Sequence, residues 1–344
     1  MLSRRNKIKL IAGAILITAI LVTGCTQSPA ATTVTTDTLV STTTTTTSTP
    51  TRIPVNRLDK IPADAIKVTP EMDIYPPILY SDKYETPVPL GSGVNTAGGE
   101  DSPFMMPDGN TLYFFFTPDV SVPAELQVLD GVTGVYVSHL VNNEWQPAER
   151  VWLQDPGKYS MDGAECIQDD TMWFASVRAG NFREIDFWTA ELKDGIWQNW
   201  QNAGAKLNLE YEIGEMHITA DGNEIYFHKY RDGDNENVDI FVTHKVNGEW
   251  QLPESIDIIN TEATEGWPFV SQDGNELWFL RNYMGTPAVM VSYKVNGQWT
   301  APEMIISQFA GEPALDSAGN LYFVHHYYKD AVMLEADIYV AYRK

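Results

Sequence analysis

Phe114, Phe174, Phe227, Phe279 and Phe323 stand about fifty residues apart, and each occupies the same local pattern. An opening run comes first: Asp101-Ser-Pro-Phe104, Ala164-Glu-Cys-Ile167, Gly214-Glu-Met-His217, Gly266-Trp-Pro-Phe269 and Gly311-Glu-Pro-Ala314. A turn follows, usually Asp-Gly as at 108–109, 221–222 and 273–274, and then the aromatic strand that carries the Phe. A second tight turn and a Trp close four of the units, as in Asn247-Gly248-Glu249-Trp250 and Asn296-Gly297-Gln298-Trp299. Asn-Gly and Asp-Gly between alternating apolar runs predict hairpins, because both central residues of a type I′ turn need positive φ. No segment carries a helical period. Each unit therefore reads as four antiparallel strands, and such units repeated radially predict an all-β, five-bladed β-propeller.

The fifth unit ends at Asp337-Ile-Tyr-Val-Ala-Tyr-Arg-Lys344, its third strand, without a turn or a Trp. The missing piece lies at the other end of the repeats. Tyr84-x-x-Pro87 matches Trp250-x-x-Pro253, and Asn95-Thr96 matches Asn260-Thr261. The N-terminal strand is expected to pair into the last blade and cover its exposed edge. Over residues 84–344 the repeats resemble the WD-like propeller repeats of the TolB type, whose unit runs roughly E-x-P-x-x-S-x-D-G-x-x-L-x-F and then D-I-Y-V. The second unit departs with Asp169-Asp170 in place of Asp-Gly, and the first and fourth have Gly134 and Ala288 where the family has its aspartate. The resemblance implies a fold and says little about function, because such repeats serve many roles.

Ahead of the repeats the chain changes character three times. Residues 1–24 read as a secretory signal, with Arg4, Arg5, Lys7 and Lys9 at the start of an apolar run that ends in Leu21-Val-Thr-Gly24-Cys25. That ending resembles a bacterial lipobox, which implies lipidation of Cys25 and an extracytoplasmic protein anchored in the membrane of the cell envelope. Residues 25–51 are almost wholly Thr, Ser, Ala and Pro after the cysteine, a stalk that cannot bury enough to order itself. Residues 52–83 are Pro-rich and read as an extended lead-in on the domain surface. The net charge is −23, and removal of the signal takes four positive charges away with no negative ones. So acidic a surface excludes nucleic acid as a partner and favours cations or basic partners. Two cysteines make no disulfide scaffold, and Cys166 reads as a small buried hydrophobe.

In a propeller the first strand of each blade lines a central channel. Asp101, Glu165, Glu215, Trp267 and Glu312 fall near one mouth of it, with Glu265 just before the fourth strand and His217 two residues beyond Glu215. Converging carboxylates repel unless a cation, a proton or a basic partner relieves them, so this mouth is the expected binding site, and its oxygen ligands favour Ca²⁺. The competing reading is that the repeat itself requires these acids for its own hydrogen bonds. A weaker Ca²⁺ candidate is the loop with Asp232, Asp234 and Glu236, although Asp239 beside it is expected to pair with Arg231, and Asp186 with Arg178. His228, His325 and His326 lack any zinc spacing. Trp200, Trp267, Tyr283, Tyr327 and Tyr328 lie off the repeated aromatic rows and are candidates for a binding surface.

Two function classes follow. One is a non-catalytic binding or scaffolding module that holds a protein, glycan or cation outside the cell on a flexible tether. The alternative is a glycoside hydrolase, with Glu165, Glu215 and Glu312 as its catalytic carboxylates.

Overall fold

A computed structural model describes residues 55–344, except 232 and 235. The signal, Cys25 and the Thr-rich stalk lie outside the described residues. The chain is almost entirely antiparallel β, arranged as five consecutive meanders. The first is built from Gly99–Met105, Thr111–Thr117, Gly134–Val141 and Glu149–Arg150. The second uses Met161–Gln168, Thr171–Val177, Asp186–Lys193 and Ile196–Asn202. Met216–Ile218, Glu224–Tyr230, Val238–Val246 and Glu254–Ser255 form the third. Glu265–Val270, Glu276–Tyr283, Thr286–Val295 and Glu303–Ser307 form the fourth. The fifth has Ala310–Leu315, Leu321–Lys329 and Val332–Ala341, and its outer partner is the N-terminal strand Val88–Pro89, paired at Val88↔Val340 and Pro89↔Tyr339. First strands touch in chain order, and that of the fifth meander touches that of the first.

Physical causes of this architecture are visible residue by residue. The five repeated Phe side chains are wholly buried between meanders, where each removes an aromatic face of large area from water. Turn positions Asn142, Asn143, Asp194, Asn247 and Asn296 all have φ between 51° and 62°, the left-handed region in which Asn and Asp cost little. Adjacent meanders are tied by asparagines. Asn95 accepts from the Ile338 amide at 3.0 Å and donates to its carbonyl at 2.9 Å. Asn260 holds Ile240 in the same two-bond way, and Asn208 holds Phe187. These amides satisfy strand groups that would otherwise be orphaned at a sheet edge.

The lead-in is more than a surface strip. Arg57, in a single 3₁₀ turn over Arg57–Lys60, is 5% exposed and reaches Glu100 at 3.2 Å and the Val94 carbonyl at 2.7 Å. Lys67 bonds both Glu335 and Asp337, Asp73 meets His325 Nε2 at 2.8 Å, and Ile78–Leu79 pairs with the outer strand of the fourth meander. Proline richness marked this segment as extended; the buried arginine and lysine contacts depend on partners far along the chain and left no local sign.

Candidate functional site

The site begins with a repeated break in the first strands. Pairing with the second strand skips between Asp101 and Phe104, Gly163 and Cys166, Gly266 and Phe269, and Gly311 and Ala314. The residue just after each break is left-handed: Ser102 at φ 48°, Ala164 at 50°, Trp267 at 53° and Glu312 at 53°. Such bulges re-aim side chains out of the pleat. Pro103, Pro268 and Pro313 follow three of them, and a proline cannot donate to the ladder. A Cβ on Gly311, the residue before Glu312, would lie 2.6 Å from Leu280 Cδ1, so a larger residue there requires that leucine to move.

This register corrects the expected equivalence of the acids. His217 pairs with Tyr226 as Phe269 pairs with Trp278 and Phe104 with Tyr113, so Glu215 matches Ser102, Ala164, Trp267 and Glu312. Asp101 sits one residue earlier, where the other units have glycine, and Glu165 sits one residue later. The acids nevertheless converge. Glu165, Glu215, Trp267 and Glu312 line one small cavity of about 50 Å³ between the first strands. Its floor is Phe104, His217 and Phe269, which also roof a second cavity of about 160 Å³ running to the opposite end past Gln168, Ser271 and Asp316. His217 is wedged between Phe104 and Phe269, at ring separations of 5.8 and 4.4 Å. Burial pushes its pKa down to about 3, so it is a neutral plug.

Two classes of acid separate here. Glu100, Asp162 and Glu265 occupy one register before the bulge, and each is held by an arginine: Arg57, Arg178 and Arg281. Glu100 and Glu265 also accept from the amides and hydroxyls of Thr96 and Thr261. These acids are part of the fold in three of the five units; the third and fifth have Ile213 and Ala310 at that register. Glu165, Glu215 and Glu312 have no such partner: no ion pair to them is found among the described residues. Both Glu165 oxygens are buried without a hydrogen bond among the described residues. Burial first, then repulsion from Asp101, raises Glu215 to about 8 and Glu312 well above the ordinary range; burial does the same to Glu165. Ser102 donates to Glu312 Oε2 through its amide at 2.9 Å and its hydroxyl at 3.1 Å.

A residue outside the first strands joins the group. His326, on Leu321–Lys329, is 1% exposed, and one of its ring nitrogens lies with oxygens of Asp101 and Glu312 in a cluster whose atoms are all within 4.8 Å of one another. Sequence spacing gave no hint of it, because His326 is reached across two strands.

Other expected candidates fall elsewhere. Asp234 spends its oxygens on the Glu236 and Asn237 amides and the Asn237 side chain, closing its own loop; Asp232 lies outside the described residues. Arg231 does pair with Asp239, at 2.7 Å. Arg178 bonds Asp162 instead of Asp186, which caps the Phe182 and Arg183 amides. Tyr327 and Tyr328 are buried, so they leave the list of surface aromatics, while Tyr283 is 41% exposed and Trp200 and Trp267 are half-buried. Cys166 is buried and its thiol pushed up to about 12.

The buried acids set a pH dependence for the metal-free chain. Their folded pKa values are raised, so the native state keeps protons that unfolded glutamates release, and stability is lost as pH rises toward about 8. Buried His217 and His228, lowered to about 3 and 4, act oppositely, but only below the unfolded histidine pKa of about 6.5. Between roughly pH 4.5 and 6.5 the two groups offset each other. The expected melting profile, measured with chelator present, is flat from pH 5 to 6.5 and declines to pH 8.5, at ~1.4 kcal/mol per pH unit for each carboxyl still protonated. A melting temperature that climbs above pH 6.5 would mean the channel acids are ionised in the fold.

No protein-family model matches the chain, and no curated protein sequence matches it. Solved structures do. One described as TolB from Agrobacterium tumefaciens is 15% identical, with a TM-score of 0.43 over 69% of this chain and 73% of that one. TolB from Acinetobacter baumannii is 13% identical, with a TM-score of 0.40 over 72% of this chain and 55% of that one. Xylan β-1,4-xylosidase from Bacillus halodurans is 13% identical, with a TM-score of 0.42 over 73% of this chain and 54% of that one. This chain thus spans about half the length of the latter two.

Proposed function

We propose that this chain is a five-bladed β-propeller, closed by its N-terminal strand and carried on a lipid-anchored stalk outside the cytoplasm. It acts as a non-catalytic binding module whose ligand engages the acidic channel mouth. The carrying observation is that three glutamates without a basic partner among the described residues line a cavity of only about 50 Å³. Room of that size takes a few waters or an ion, whereas small-molecule sites usually need about 300–1,000 Å³. A positively charged group entering from outside would relieve the acids, and exposed Tyr283 and Met284 on the fourth meander's hairpin offer apolar contact near that end. The TolB-type repeat pattern supports an envelope location.

One observation favours the hydrolase reading. Glu165 is a buried carboxyl with a strongly raised pKa, which is how a general acid is tuned. Assaying the full-length chain in detergent on a panel of aryl xylosides, arabinofuranosides and glucosides separates the two. No turnover above a blank is expected. Turnover that disappears in Glu165→Gln would establish the hydrolase and end the binding-only reading. The anchor has its own test: Cys25→Ser should move the protein from the membrane fraction to the soluble one.

A further inference from the structure

We infer that Asp101, Glu312 and His326 form a binding site for a divalent transition-metal ion at the mouth of the ring. The inference rests on the reading of that mouth as a cation-binding end, but not on the absence of catalysis there.

Three strands from two meanders supply the ligands. Asp101 is the last paired residue before the bulge of Gly99–Met105, Glu312 occupies the left-handed bulge of Ala310–Leu315, and His326 lies on Leu321–Lys329. Their candidate ligand atoms are mutually within 4.8 Å. Ligands ~2.1 Å from one ion stand about 3–4 Å apart, so a small inward adjustment of side chains closes the set. All three residues are at most 5% exposed.

The second observation is independent of the acids. Among the described residues, neither ring nitrogen of His326 has a hydrogen-bond partner, although the side chain is buried. A buried imidazole left so costs desolvation energy with no return, and its neighbour shows the contrast. His325 faces the other way along the strand and has one of its two nitrogens, Nε2, on Asp73. His326 instead has a nitrogen beside two carboxylates.

The surrounding groups are placed as outer supports. The Ser102 amide donates to Asp101 Oδ1 at 2.9 Å and, with the Ser102 hydroxyl, to Glu312 Oε2. A left-handed serine inside a strand is what allows one residue to hold both acids. Hydrogen bonds of this kind orient ligands and raise their affinity.

Donor chemistry selects the metal. Ca²⁺ takes six to eight oxygens in a roomy site, and the spacing of acids alone pointed to it. One imidazole with two carboxylates in a cramped pocket favours Zn²⁺, Mn²⁺ or Fe²⁺ instead. Waters from the adjoining cavity would complete the coordination.

The test titrates Zn²⁺ into the chelator-stripped full-length chain in detergent, against a competing chromophoric chelator. One ion per chain is expected. His326→Gln should weaken binding by at least about tenfold, while His244→Gln, an exposed histidine beside Glu224, should leave it unchanged. Because His326 is buried, a second measurement guards against misfolding: spin-echo spectroscopy of Mn²⁺ on the unaltered chain should show modulation from one imidazole nitrogen. No binding, binding indifferent to His326→Gln, or no nitrogen modulation overturns the inference. Binding that depends on Glu165 and Glu215 but not His326 would overturn it while sparing the cation-binding reading. Xyloside turnover would overturn the non-catalytic reading and leave the metal site standing.

Discussion

Arg57→Ala is expected to cost ~3–5 kcal/mol of stability, the usual consequence of removing one partner from a buried ion pair. The guanidinium serves four groups at once: Glu100 at 3.2 Å, the Gly93 and Val94 carbonyls at 3.1 and 2.7 Å, and the face of Phe116 at 4.9 Å. Glu100 is wholly buried, and desolvation already holds its pKa near 7 despite the arginine. Without Arg57 that pKa climbs further, and a group with a raised folded pKa stabilises only while protonated. The deficit measured by urea unfolding should therefore shrink between pH 8 and pH 5. A loss below about 1 kcal/mol, the scale of an exposed pair, would place the lead-in off the domain in solution.

Glu165→Met is expected to do the reverse. The carboxyl sits a few residues from a structural acid of the same repeat, yet both its oxygens are buried without a partner among the described residues. Replacing an unsatisfied buried polar group with an apolar one of similar volume removes a desolvation penalty of about 1–3 kcal/mol. Unfolding at pH 7.5 should show a gain of that order, and a methionine that loses stability would mean Glu165 is held by contacts inside the ring. Opposite signs for breaking the Arg57–Glu100 pair and for removing the Glu165 carboxyl would separate the acids that build the fold from those kept for another purpose, since sites commonly cost stability.

These two residues also mark what could be read in advance. Strand content, the Asn-Gly hairpins, the fifth unit's incomplete end and the pairing of Val88–Pro89 with it follow from local chemistry repeated at a fixed interval, and the Asn95–Asn260 match proved to be one hydrogen-bonding device used twice. The acids near the mouth were legible as a group because they recur. Their individual roles were not. A bulge shifts register by a residue without changing composition, so Asp101, Glu165 and Glu215 looked equivalent when they are not. Arg57 and His326 act through partners 43 and 14 or more residues away, across strand faces that only the assembled ring defines. Tyr327 and Tyr328 were misplaced for a related reason: the fifth meander's long second strand is covered on both faces, by Phe309 on one side and Tyr339 on the other.

The strand Val88–Pro89 meets its partner at Tyr339 and Val340, almost the whole length of the repeats away. A chain made N-terminus first must hold that strand unpaired until the last residues emerge. Everything between can form locally, meander by meander, but the seam is a long-range event, and such contacts are the slow ones in folding. Until it forms, the fifth meander offers a bare edge to any neighbouring chain. Chains crowded together before the seam forms can trade these strands, so dilution of newly made chains favours each closing upon itself.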